Sequence, residues 1–233
     1  MNISVVIPVA DGDRKWEDLL PDLRSLSEND EIIISSPNED LKSDVLSTCL
    51  KVPLSCKIKF VTSNKGRAKQ LNQGAQASSN EMLWFLHCDS HLSKDSINVL
   101  KEKFRKQAEA IYYFNLGFDN DGPALSKLNT VGVWLRSHIL KLPFGDQGFA
   151  MTKNVFNNLG GFCEEASYGE DHLFIWKAHK ERTPVICVGG RLITSARKYQ
   201  MNGWLSTTTH HIWLTLRQAA PQALALLRMR GMK

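Results

Sequence analysis

The sequence predicts an α/β fold: a mostly parallel sheet with helices on both faces, followed by a helical C-terminal extension. Two observations predict it. Short, buried-looking apolar runs alternate with segments of helical periodicity through the first half of the chain, the pattern of strands joined by crossover helices. From Gly203 onward the periodicity is helical alone.

The elements follow in order. Ser4 to Val9 reads as a buried strand. Trp16, Leu19, Leu20, Leu23 and Leu26 then recur at helical spacing. Glu31 to Ser35 is a second short strand, Asp40 to Leu50 a helix and Lys57 to Thr62 a third strand. Gly66 to Ala77 forms a helix with Ala68, Leu71 and Ala75 on one face. Met82 to Leu86 is the fourth strand, and Ser93 is placed to cap the next helix. The second half is less regular. Ala110 to Phe118 reads as a longer strand, Leu125 to Leu140 as a helix and Phe149 to Met151 as a short strand. Gly160-Gly161 is a turn, and Glu170 to His179 is a helix with Leu173 and Trp176 on one face. Val185 to Val188 and Leu192 to Thr194 are two short strands, and Pro221 interrupts the terminal helical stretch. This divides the chain into residues 1–200, one α/β unit, and 201–233, a basic helical extension.

Composition narrows the class. At 42% hydrophobic and 23% charged residues, the 233-residue chain can bury a sizeable core. No apolar run approaches the roughly 20 residues a membrane helix needs, and the N-terminus starts as a strand rather than a basic leader. Five cysteines form no CxxC pair, which points to reduced thiols and a cytoplasmic setting. The formal charge of +5 is uneven: no Asp or Glu follows Glu181, whereas eight Lys and Arg do, from Arg182 to Lys233. Such a surface faces something anionic. The tail carries no nucleic-acid-binding motif, so nucleic acid is not the expected partner.

Five stretches could carry chemistry. In "WFLHCDSHL", an apolar strand ends in His87, Cys88, Asp89 and His91. Ligands of open α/β sheets bind beyond the carboxyl ends of strands. Asp89 there could hold a divalent cation against diphosphate oxygens, or merely cap a turn. His87 and His91 are candidate companions, and Cys88 faces the core because neighbouring strand residues point to opposite faces. "NKGRAKQLNQGA" opens a helix with Arg67, Lys69 and Asn72, which suits a phosphate or is an ordinary basic first turn. "GEDHLFIW" opens a helix with Glu170 and Asp171. Acids there complement the helix dipole, and a carboxylate facing a cleft could take a proton from a hydroxyl. "PFGDQGFAM" sets Asp146 between two glycines, and "TSARK" puts Arg197 near a strand end.

Taken in order, these stretches together with "SVVIPV" and "GGF" resemble a family 2 glycosyltransferase of the glycosyltransferase A fold (Rossmann-like), in particular the radical-SAM/selenodomain-associated transferase 2 subgroup. The likeness covers about residues 3 to 200. It implies an inverting transfer from a nucleoside-diphosphate sugar, with Mn²⁺ or Mg²⁺ on Asp89, where "LHCDS" stands in place of a DxD motif. It implies Asp171 as the base for the acceptor hydroxyl and Glu170 as its neighbour. Arg67, Asn72, Arg197 and Asp146 fall to the donor diphosphate, and Pro8, Asp11 and Ser35 to the nucleobase and ribose. The chain departs from the family pattern at three points: His87 at the first DxD position, Ser35 and Ser36 where acids usually end the second strand, and Ala10-Asp11 where an aromatic-Asn pair is usual. Two other readings compete. One is a degenerate homologue that binds nucleotide without turnover. The other is a nucleotidyltransferase, opposed by "VADGDRKW", which lacks a glycine-rich basic loop. The tail suits an anionic membrane surface on the inner face, with a lipid-linked acceptor, or a homodimer contact.

Overall fold

The computed structural model describes residues 1–123 and 125–231. Lys233 of the basic tail lies outside the described residues. The elements run β1 (Ile3–Pro8), α1 (Trp16–Leu19) with a 3-10 turn (Leu20–Leu23), β2 (Glu31–Ser36), α2 (Leu41–Cys49), β3 (Lys57–Thr62), α3 (Arg67–Ala77), β4 (Met82–Phe85), β5 (Ser90–Leu92) and α4 (Ser96–Lys106). They continue with β6 (Ile111–Phe118), α5 (Ser126–Trp134) running into a π-helical turn (Leu135–Ile139), a 3-10 turn (Gly145–Gln147), β7 (Ala150–Thr152), α6 (Lys153–Asn158), α7 (Glu170–Lys180), β8 (Val185–Thr194), α8 (Arg197–Asn202) and α9 (Trp204–Gly231).

The eight strands form one sheet in the order β3-β2-β1-β4-β7-β6-β8-β5. β3, β2, β1 and β4 are parallel, as the alternation requires. β7 then pairs antiparallel with β4 and β6, and β5 antiparallel with β8. Strand period two sorts the apolar residues into two cores. Ile3, Val5, Ile7 and Trp84 face Trp16, Leu19, Leu20 and Leu23 on one side. Val6, Ile33, Leu83 and Phe85 face Leu71, Phe156 and Phe174 on the other. Helix α3 lies so close to β1 that a Cβ on Gly74 would stand 2.4 Å from Val6 Cγ1.

Several expectations are corrected. The two short strands near the end of the sheet are one, β8, irregular around Gly189-Gly190, where its register against β6 shifts between Tyr113 and Asn115. Pro221 does not interrupt the last helix. Ala219, Ala223 and Leu226 pack on the second core, and Gln222 accepts a hydrogen bond from Lys180 at 2.7 Å. These contacts hold both sides of the proline in helical register against the cost of its missing N–H. The cap position of α4 is Asp95, and Ser93 instead pairs with Ser96 through their hydroxyls at 2.8 Å. Strand β5 had no signal in the sequence, because three residues are too few for a period.

Candidate active site

A cleft of ≈960 Å³ opens at the carboxyl ends of β4 and β8. Its lining includes Lys15, Arg67, His87, Asp89, Arg136, Asp146, Asp171, Arg197 and Lys198. All five candidate stretches therefore supply this one lining, "NKGRAKQLNQGA" through Arg67.

The first wall is the turn from His87 to Ser90, where Ser90 N–H donates to His87 O at 3.1 Å. The turn reverses β4 into β5, so "WFLHCDSHL" is a strand, a turn and a return strand. Ser90 then pairs with Thr194, and that pairing sets Asp89 beside the residues that follow β8. Asp121 fixes those residues by accepting from Ala196 N–H at 2.6 Å and from the Ser195 hydroxyl. Arg197 and Lys198 then start α8 within the same cleft. Cys88 packs toward the first core as expected, and burial beside Asp13 pushes its thiol up to about 12.

The second wall is the start of α7. Gly169, at φ +63, turns the chain into the helix. Glu170 and Asp171 follow, both nearly buried. Arg67 Nε donates to Glu170 Oε1, and Arg67 Nη2 lies 3.7 Å from Asp171 Oδ1. Asp171 accepts from Gly145 N–H at 2.6 Å and from its neighbour His172 N–H at 2.8 Å. A Cβ on Gly145 would stand 3.0 Å from Asp171 Oδ2 and 3.3 Å from His87 Nε2, so a side chain there would press on both groups. Burial works to raise the Asp171 carboxyl, but Arg67 and the two amides outweigh it and hold the group below the ordinary range. Burial likewise opposes the Arg67 charge, and Asp171, Glu170 and Asp146 more than restore it. Burial, with Arg67 adding to it, lowers His87.

The third wall was legible in the sequence only at Asp146. The π-helical turn carries Arg136, whose guanidinium lies 3.3 Å over the Phe144 ring and donates to Gln147 Oε1 at 3.2 Å. Asp146 stands on the adjoining 3-10 turn. Burial raises its carboxyl, against the pull of Arg136 and His87 and with Asp171 adding to the rise. Helix α9 closes the cleft with His211, Ile212, Thr215, Leu216 and Gln218. The tail expected to be an appendage is thus part of the site. The only sequence signal for it was that periodicity continued past Gly203.

Three expected site residues stand elsewhere. Asn72 is a clamp: its amide donates to Phe162 O and Glu164 Oε1, each at 2.9 Å, and accepts from Phe162 N–H at 3.0 Å. It holds the Gly160-Gly161 turn and has no amide group left for a diphosphate. Ser35 is fully buried beside β1 Pro8, beneath α3, where Gln70 Nε2 bonds its carbonyl at 3.1 Å. Its hydroxyl cannot reach a base. The exposed polar groups at that end of the sheet are Asp11 and Asn38, joined at 2.9 Å. His91 points its Nδ1 at Asp22, 3.5 Å away. Arg67 stays in the cleft, tied to the two acids.

On the turn after β4 a metal would find one carboxylate, Asp89, with Lys15 Nζ 4.0 Å from its Oδ2, while Asp146 and Asp171 line the same cleft from its other walls. No group of three or more His, Cys, Asp or Glu among the described residues could hold a metal by itself. That donor set does not fit zinc. It fits an ion of the magnesium type, which takes one or two carboxylates and completes its shell with substrate phosphates and water.

Comparison with known proteins identifies the family and the fold. The family model described as glycosyl transferase family 2 matches residues 4–163. No curated protein matches the chain. Among solved structures, S. aureus TarS 1-349 in complex with UDP-GlcNAc superposes at a TM-score of 0.65 with 15% identity, covering 84% of this chain and 59% of that one. The mannosyltransferase PcManGT from Pyrobaculum calidifontis, in complex with GDP-Man and Mn2+, superposes at 0.68 with 14% identity, covering 94% and 64%. At such identities the likeness speaks for the fold, which is of the glycosyltransferase A kind. The chain spans about three fifths of the length of these structures.

Proposed function

We propose that this chain, which belongs to glycosyl transferase family 2, moves a sugar from a nucleoside-diphosphate sugar to an acceptor hydroxyl with inversion. The observation that carries this reading is one cleft that joins a buried, ionised Asp171 to the cations Lys15, Arg197 and Lys198. Glycosyl transfer needs little more: a base at the nucleophile and positive charge at the leaving group.

Asp171 takes the proton of the acceptor hydroxyl. The freed oxygen attacks the anomeric carbon from the face opposite the leaving group, and the bond from that carbon to the diphosphate oxygen breaks. The diphosphate departs with the electron pair, facing Arg197, Lys198 and Lys15. Arg67 and Glu170 fix Asp171 by the contacts described above. A divalent ion on Asp89, when bound, would supply further charge neutralisation at the diphosphate. Pro8, Asp11 and Asn38 are the groups placed to meet the nucleobase and ribose, and Asn38 replaces Ser35 in that role.

The ordered motifs support a place in the radical-SAM/selenodomain-associated transferase 2 subgroup. Residues 1–200 form the catalytic domain in this reading, with 201–233 as the extension that walls its cleft. The outer face of α9 exposes Leu205, Trp213, Leu224 and Leu227 among Arg217 and Arg228, with no acid after Glu181. That combination suits an anionic lipid surface and hence a lipid-linked acceptor.

The test is a panel of nucleotide sugars with Mn²⁺, read by thermal shift and by release of nucleoside diphosphate. A ligand at 100 times its dissociation constant should add about 2.7 kcal/mol to stability. Stabilisation without turnover, across the panel and a range of acceptors, would favour a nucleotide-binding homologue instead. Release of pyrophosphate from a nucleoside triphosphate would favour a nucleotidyltransferase.

A further inference from the structure

We propose that Arg136 and Asp146 together grip hydroxyl groups of the sugar being transferred, and so decide which donor the enzyme accepts. This inference rests on the function proposed above and assigns a sugar subsite within the same cleft.

Two buried polar atoms in the cleft wall lack hydrogen-bond partners within the chain: Arg136 Nε and Asp146 Oδ1. Leaving such a group unpaired costs about 1–3 kcal/mol, and more for a charged one. Both belong to ionic side chains that attract each other, yet no nitrogen of Arg136 lies within 4.0 Å of a carboxylate oxygen of Asp146 among the ion pairs of the described residues. The two side chains are held apart by what surrounds them. Arg136 is fixed by the Phe144 ring and by Gln147. The 3-10 turn under Asp146 is fixed by Gly145 N–H on Asp171, by Gly148 N–H on Gly145 O at 3.0 Å and by Gln147, whose Nε2 donates to Phe114 O at 2.9 Å. These bonds fix the Arg136 guanidinium and the backbone that carries Asp146.

The chemistry of the pair selects its ligand. A guanidinium only donates and a carboxylate only accepts. A group that accepts from Arg136 and donates to Asp146 satisfies both, and a sugar hydroxyl does so. A phosphate, which only accepts at neutral pH, would meet Asp146 unfavourably, so the pair does not serve the diphosphate. Asp146 thus keeps the place at the donor expected for it, at the sugar rather than the diphosphate. Arg136 also stands in a π-helical turn, a distortion that recurs at functional sites because it re-aims one side chain. Position favours the donor sugar over the acceptor. Asp146 interacts electrostatically with His87, two residues from Asp89, and follows Gly145, whose amide holds Asp171. It therefore lies between the diphosphate side and the base, where the transferred sugar must sit.

The experiment is calorimetric titration of wild type, Asp146→Asn and Arg136→Lys. The titrants are UDP and GDP, then UDP-N-acetylglucosamine, UDP-glucose and GDP-mannose, all with Mn²⁺. Asn keeps the shape of Asp, and Lys keeps the charge of Arg but loses Nε, and circular dichroism checks that both variants fold. We expect bare nucleotides to bind all three proteins alike. We expect the extra affinity that the sugar adds in wild type to fall about tenfold or more in each variant, the scale of a lost hydrogen bond to a charged group. An equal sugar increment in all three proteins overturns this inference and leaves the proposed function standing. Failure of wild type to bind any nucleotide overturns both.

Discussion

Gln218 of α9 and His172 of α7 are joined by a 2.7 Å hydrogen bond between Oε1 and Nδ1. The partners of both residues fix its direction. Trp176 Nε1–H can only donate, and it donates to His172 Nε2 at 2.8 Å. The proton of the neutral ring is therefore on Nδ1 and is given to Gln218. Gln218 Nε2 in turn donates to Tyr168 O at 3.0 Å, and a Cβ on Gly169 would stand 2.4 Å from its Oε1. Helix α9 thus latches the loop that delivers Glu170 and Asp171. Gln218→Ala should destabilise the chain by about 1–3 kcal/mol, the cost of an orphaned buried donor, and should slow transfer while nucleotide affinity holds. Denaturant titration and steady-state kinetics check this. Wild-type kcat in the variant would show that the latch does not position the acids.

Asp171→Asn should keep donor binding and lose transfer by about 10²-fold or more. Because the Asp171 carboxyl lies below the ordinary range, it stays ionised as pH falls. Transfer should therefore persist through pH 5 and fail only below the usual carboxylate pKa of about 4. Persistent transfer in the Asn variant, with Glu170→Gln inactive, would exchange the roles of the two acids.

Asp89→Asn should abolish the gain in UDP or GDP affinity that Mn²⁺ brings, because Asp89 is the one carboxylate that the turn after β4 offers to the cleft. Affinity without metal should change little, since Arg197 and Lys198 remain. Titrations with and without Mn²⁺ read both quantities, and an unchanged metal increment would move the ion elsewhere.

Stability should fall as pH drops below about 6.5. Burial lowers His172 against Gln218 and Asp171, and burial with Lys198, His210 and Arg136 brings His211 down to about 4. Between each folded value and 6.5 the unfolded chain binds more protons, so unfolding gains as protons are added. The contribution is complete above the unfolded value and is lost on acidification. His211→Gln should flatten the curve of melting temperature between pH 6.5 and 4, and an unchanged slope would mean that His211 is solvated.

The chain should sediment with anionic vesicles at low salt and be released at high salt, since each basic residue near such a surface contributes about 1 kcal/mol. Trp213→Ser with Leu224→Ser, both on the exposed side of α9, should reduce the bound fraction. A concentration-dependent dimer that the same substitutions dissolve would assign this face to a second copy instead.

The sequence by itself determined the parallel half of the fold. β1 to β4 and the helices between them are read from periods of two and 3.6, because each buries its own apolar face and so writes that period locally. It also marked Asp89, Asp146, Asp171 and Arg197 as chemical, because ionisable groups beside apolar runs are legible without a partner. Only the tertiary structure decided which groups these meet. The three-residue strand β5 pairs Ser90 with Thr194 and so brings Asp89 into one cleft with Arg197, across a span no local pattern records. Asn72 and Ser35 left the site because their partners, Phe162 and α3, are set by packing. Arg136 and Gln218 entered it from a π-helical turn and a distant helix. Periodicity reports which face of an element is buried. It cannot report which side chains of different elements meet, since long-range packing fixes that.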